Sequence, residues 1–130
     1  IRVSKHTALQ GSLLGTGFPF RDQKDWLEVY LDIFTDFTKI VGAIRRPGSA
    51  ALDLAYVASG RYDGFWEFGL KPWDVAAGAL LIQEAGGIVQ NIIPNTDPVD
   101  SGSLFCGNPK IFEGMKEIIS PYEKRLKAFA

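Results

Sequence analysis

Glu67-Phe68-Gly69-Leu70-Lys71-Pro72-Trp73-Asp74 decides how this chain of 130 residues folds. Before it, Tyr62 to Phe68 is aromatic-rich with Gly64 inside, which suits a buried strand. After it, Pro72 opens a helix that runs to about Ala85 and ends at Gly86-Gly87. That helix carries only Asp74, Gln83 and Glu84 as polar residues, so it is expected to lie between other elements. A strand therefore hands over directly to a buried helix, and Asp74 falls in the helix's first turn. Unpaired N–H groups and the helix dipole favour an anion there, so Asp74 can serve simply to stabilise the helix start. Yet a charge on so apolar a helix is partly dehydrated and then needs a partner. Gly78, one turn on, costs about 1 kcal/mol of helix stability relative to alanine and leaves room for something to approach closely.

Working outward, Ser49 to Ser59 is Ala/Leu-rich and of helical length, with Ser49 as N-cap and Gly60 past its end. Its only charge is Asp53, so both faces are expected to be buried, with Asp53 serving as a structural cap or hydrogen-bonded to nearby backbone. Trp26, Tyr30, Ile33, Phe34 and Phe37 recur at helical spacing opposite Asp25, Glu28, Asp32 and Asp36, giving an amphipathic helix over about 25–39 with a wet acidic face. Strands are expected at 1–5, from the period-two alternation of Ile1-Arg2-Val3-Ser4-Lys5, and at 12–16, 43–46, 87–90 and 104–107. Arg21 to Lys24 reads as a polar turn, Ile93 to Ser103 as an exposed turn-rich loop, and Pro109 to Phe129 as helical with a break at Ser120-Pro121. Strands alternating with helices apolar enough for two-sided contact indicate a layered α/β architecture.

Composition narrows the function. Hydrophobic residues make up 46% and charged residues 22%, with a net charge of −1, which describes one globular domain over 1–130. That balance leaves no electrostatic footprint for nucleic acid or an anionic membrane, and no apolar run reaches the roughly 18 residues of a membrane span. The lone Cys106 reads as a buried small hydrophobe, and a single cysteine points to a reducing, cytoplasmic setting. The opening Ile1-Arg2-Val3-Ser4-Lys5, with no initiator Met, reads as the middle of something longer. Glu67 is acidic in the company of Phe65, Trp66 and Phe68; it is either a solvated strand end or a functional carboxylate. Gly48-Ser49-Ala50 opens a helix with small residues, and such a start suits an oxyanion, phosphate or hydroxyl. Trp73 reads as core packing, His6 as surface. Arg45-Arg46 is a phosphate contact, a solvated strand end or an interface.

Lys71-Pro72-Trp73-Asp74-Val75-Ala76-Ala77-Gly78, followed by Glu84-Ala85-Gly86-Gly87, resembles the C-terminal signature of the inositol monophosphatase family. Gly48-Ser49-Ala50-Ala51-Leu52-Asp53-Leu54-Ala55-Tyr56-Val57-Ala58 is similar to the family's preceding helix, and Thr16-Gly17-Phe18-Pro19 to its Thr-Gly-Phe-Pro segment. The likeness covers essentially the whole chain and is closest to the bacterial branch. It implies a layered α/β sandwich, a mixed sheet flanked by helices. It implies Asp74 as a magnesium ligand, Glu67 as a hydrogen-bond partner of inositol hydroxyls, and backbone at Gly48, Ser49 and Ala50 facing the substrate. The family hydrolyses phosphate monoesters with magnesium-activated water, and lithium inhibits many members. The family's paired glutamates and its Asp-Pro-x-Asp-Gly-Thr segment do not occur here. Asp97-Pro98-Val99-Asp100 imitates the latter only in a late loop and reads as coincidence. The chain is thus expected to be the C-terminal half of such an enzyme, without the N-terminal metal-binding half and inactive alone, with inositol 1-phosphate as the favoured substrate and a homodimer as its assembly. Two alternatives stand beside this. One is the same chemistry on fructose 1,6-bisphosphate or an adenosine bisphosphate. The other is a non-catalytic module partnering the transcription machinery through the acidic 25–39 helix or Arg45-Arg46.

Overall fold

The computed structural model describes residues 1–19, 26–93 and 96–128. The chain runs β1 (Leu13–Thr16), α1 (Leu27–Thr38), β2 (Ala43–Arg45), α2 (Ala50–Ala58), β3 (Gly64–Glu67), α3 (Pro72–Glu84), β4 (Ile88–Asn91), α4 (Pro98–Ser101), β5 (Leu104–Gly107), α5 (Pro109–Ile119) and α6 (Glu123–Lys127), with a 3-10 turn at Ser120–Tyr122 between the last two. The strands form one mixed sheet in the order β2-β1-β3-β5-β4. β1 pairs in parallel with β2 and β3, while β5 is antiparallel to both β3 and β4.

Alternation along the strands divides the interior into two cores, because successive side chains point to opposite faces. Phe65, Leu104 and Cys106 join Leu54 and Val57 of α2 and Val75 and Ile82 of α3 on one face. Leu14, Trp66 and Phe105 join Tyr30, Ile33 and Phe37 of α1 and Ile111 and Met115 of α5 on the other. A hydroxyl network ties that second core together: Thr16 Oγ1 donates to Trp66 O at 2.9 Å and shares a 2.8 Å hydrogen bond with Tyr30 Oη. Gly78 has the role its position suggested, for a Cβ there would overlap Leu54, so α2 and α3 pack at a distance only glycine permits.

Several expectations need correction. Residues 1–5 form no strand; Ile1, Arg2 and Lys5 are exposed, and half-buried Val3 donates its N–H to Ala85 O at the end of α3. Neither α2 nor α3 is buried on both faces. Leu52 is 54% exposed, Trp73 78% and Leu80 58%, and Trp73 is therefore not a core residue among those described. The 93–103 loop holds α4, capped by Asp97 through Val99 N–H, and ends in buried Gly102 and Ser103. This capping explains Asp97-Pro98. The acidic face of α1 is partly occupied by the chain's own end: Tyr122 Oη donates to Asp36 and Arg125 pairs with Asp32 at 2.7 Å. Asp25 and the Arg21–Lys24 turn lie outside the described residues. No described helix is long and apolar enough to cross a membrane.

Candidate active site

β3 ends where α2 and α3 both begin, and a cavity of about 420 Å3 opens there. Its walls bring together all five residues singled out from sequence, Gly48, Ser49, Ala50, Glu67 and Asp74. Gly48, at φ +94°, turns the chain from β2 toward α2 in a conformation that favours glycine. Ser49 Oγ then accepts Leu52 N–H at 3.4 Å as the N-cap. The remaining first-turn N–H groups of α2 have no partner within the helix, which suits that wall to an oxygen-rich ligand.

Asp74 has two oxygens with different duties. Oδ2 accepts Lys71 N–H at 3.0 Å and seals the start of α3; Oδ1 makes no hydrogen bond among the described residues. The Lys71 turn is itself held from behind. Gly69 N–H donates to Ser103 Oγ and Leu70 N–H to Gly102 O, both at 2.9 Å. Thus the late 97–103 segment, whose turn-rich composition suggests an exposed loop, fixes the turn that presents Asp74.

Glu67 is not a solvated strand end, being only 6% exposed. Its carboxylate lies so close to Gly17 that a Cβ there would overlap Oε1. Burial pushes its pKa up to about 8; negative Asp53 and Asp74 add to the rise and Arg46 opposes it. Arg46, whose guanidinium sits 5.4 Å from the Phe18 ring, lines the same cavity as Phe18 and Gly17. In the sequence Arg46 carries no single role, and Gly17 and Phe18 none of their own. Their one signal was the Thr16-Gly17-Phe18-Pro19 segment.

Asp53 departs from expectation. It is 1% exposed, and Oδ1 is buried with no hydrogen-bond partner among the described residues. Burial pushes its pKa up to about 6. The folded state therefore favours the protonated acid. Stability from this group is intact below the unfolded carboxylate pKa of about 4 and is lost as pH rises through about 6. Asp53→Asn in the full-length protein is expected to raise stability at pH 8 by about 1–2 kcal/mol, allowing for screening by water in the neighbouring cavity, with little gain at pH 4. Urea denaturation at the two pH values checks this.

Among the described residues, no group of three or more His, Cys, Asp or Glu is placed to hold a metal ion. Magnesium is a hard cation that takes oxygen ligands in an octahedral shell. Asp74, with one uncommitted carboxylate oxygen at the cavity, fits as a single such ligand, and the rest of the shell needs further oxygens.

The chain belongs to the inositol monophosphatase family, whose model matches residues 1–124. Its relatives include the Nus factor SuhB of Pseudomonas aeruginosa, 52% identical over 123 residues that make up 94% of this chain and 45% of that protein. The Nus factor SuhB of Escherichia coli is 46% identical over 115 residues, 88% of this chain and 43% of that protein. Among solved structures, the extragenic suppressor protein SuhB from Bartonella henselae matches with a TM-score of 0.84 at 39% identity, covering 91% of this chain and 45% of that one. The inositol monophosphatase from Anabaena matches with a TM-score of 0.83 at 38% identity, covering 93% and 50%. The mixed sheet between helical layers is the fold of these structures. The chain spans half or less of the length of the relatives it matches.

Proposed function

We propose that this chain is the C-terminal half of a magnesium-dependent phosphate monoesterase, most readily an inositol monophosphatase, and that it supplies the alcohol-binding wall and one metal ligand. The observation that carries this reading is the meeting of Glu67, Asp74 and the Gly48-Ser49-Ala50 turn on one cavity in a chain of this family. Asp74 would hold magnesium through the oxygen not used in capping. Bound magnesium would supply an activated water and neutralise phosphoryl charge. Glu67, aimed by its contact with Gly17, would bind ring hydroxyls, and the α2 turn would face the ester. The exposed apolar face of Leu52, Trp73 and Leu80 lies on the two helices that frame the cavity. The N-terminal half, carrying the remaining metal ligands, would pack there.

Phosphate release from inositol 1-phosphate at millimolar magnesium tests the reading. The full-length protein is expected to turn over, and residues 1–130 alone are not, since one carboxylate cannot both hold the ion and orient the nucleophile. Turnover by the chain alone would refute the division of labour. Gly17→Ala in the full-length protein is expected to displace Glu67 and raise KM about tenfold, leaving kcat within about twofold. Steady-state kinetics decide it; an unchanged KM removes Glu67 from alcohol recognition.

A second reading is favoured by the name Nus factor borne by relatives. Here the protein would also, or instead, partner the transcription machinery. Because Asp32 and Asp36 are already engaged by the C-terminal residues, the acidic face of α1 is a poorer docking surface than sequence suggested.

A further inference from the structure

The far end of α3, roughly 16 Å along the helix from Asp74, borders an open groove of about 690 Å3. One wall is the extended segment from Arg2 to Thr7. The other is the end of α3 at Ala85 and Gly86 and the start of α5 at Asn108 and Lys110. This is a fixed groove. Val3 N–H donates to Ala85 O at 3.1 Å. Buried Asn108 donates from Nδ2 to Ser4 O at 2.9 Å and His6 O at 2.7 Å, while its Oδ1 accepts Lys110 and Ile111 N–H.

Arg2, Lys5, His6 and Lys110 stand exposed around it. The ion pairs among the described residues are Lys39–Asp36 and Arg125–Asp32, so none of the groove's cations has a carboxylate partner. Glu84 and Glu113, the acids nearest along the chain, do not pair with them. Between the cations the wall is aliphatic, from Val3, Ala85 and Pro109. No Phe, Tyr or Trp lines it, so nothing offers a nucleobase a stacking platform.

We infer that this groove docks an acidic, aliphatic peptide segment of a partner protein. Carboxylates of that segment meet Arg2, Lys5 and Lys110, and an aliphatic side chain lies against Val3 and Pro109. The site is separate from the cavity, so docking and phosphate release need not compete, and the inference stands whichever reading of the cavity holds.

The test uses the full-length protein and a fluorescein-labelled peptide of repeating Asp-Glu-Leu. Saturable binding by anisotropy is expected, weakening with salt and falling at least about tenfold in K5E/K110E. The K5Q/K110Q variant is expected to fall between the two. Phosphate release and melting temperature are expected to stay unchanged in both variants. An Asn-Gln-Leu peptide of the same length is expected to bind poorly. Equal affinity for that neutral peptide, undiminished binding by K5E/K110E, or no binding at all would overturn the proposal. So would tighter binding of a single-stranded RNA of matched charge, which would reassign the groove to nucleic acid. Resistance of Lys5 and Lys110 to acylation in the free full-length protein would also overturn it, by showing the groove already filled.

Discussion

Asp74→Asn in the full-length protein is expected to lower turnover of inositol 1-phosphate by at least about a hundredfold while leaving the melting temperature nearly unchanged. The separation of the two readouts follows from the geometry. Asp74 Oδ2 accepts Lys71 N–H, and an asparagine oxygen can make the same bond, so the start of α3 survives. What asparagine lacks is the negative charge of a carboxylate that lines the cavity and keeps one oxygen out of the capping bond. A hard divalent cation held partly by that charge loses affinity and its power over bound water. The accompanying signature is a higher magnesium concentration for half-maximal rate. Wild-type kinetics would mean that Asp74 does no more than cap its helix. Loss of melting temperature together with activity would mean that capping is its main duty.

Gly102→Ala is expected to produce the largest loss of stability of any single methyl added to this chain, at least about 3 kcal/mol by chemical denaturation. Gly102 sits at φ +67°, in the left-handed region, at the end of α4. A Cβ there would overlap Leu70 O and stand 2.7 Å from Leu70 N. Both are backbone atoms, so no side chain can swing aside. Gly86→Ala is the control: φ is +92°, but nothing lies within 4 Å of the added methyl, and the cost should be only the backbone strain of about 1–2 kcal/mol. Similar losses at both positions would show that conformation, not the contact with Leu70, governs Gly102. Because Leu70 also lines the cavity, Gly102→Ala should depress activity under conditions where the variant remains folded.

Much of this arrangement could be read from the residues. The strand ending at Glu67, the helix opening at Pro72 and the Ser49 cap stand where local chemistry placed them, because each depends on neighbours in sequence. The burial of α3 could not be read the same way. Its apolar outer stripe, Trp73 and Leu80, signals contact, but a pattern does not say whether the partner lies within these 130 residues. The segment 1–5 misled for a related reason. Its period-two alternation does not correspond to a buried edge: Ile1 is exposed, and Val3 is half-buried against the end of a helix instead of paired with a strand. Within the cavity, acids were conspicuous in apolar surroundings, whereas Gly17 was not. Its contribution is the absence of a side chain beside Glu67, and only three dimensions reveal that. Asp53 was expected to find a backbone partner because most buried carboxylates do, yet one of its oxygens has none among the described residues.

The bond between Asn108 and Ser4 reaches across 104 positions of sequence. A contact so remote along the chain closes a loop nearly as long as the domain, and loop closure of that kind is slow and forms late. During synthesis Ser4 and His6 can therefore meet Asn108 only after the sheet strands up to β5 have left the ribosome, although Val3 can reach Ala85 earlier. The rate at which the 2–7 segment becomes protected from hydrogen exchange should mark a late stage of folding, after the sheet has already assembled.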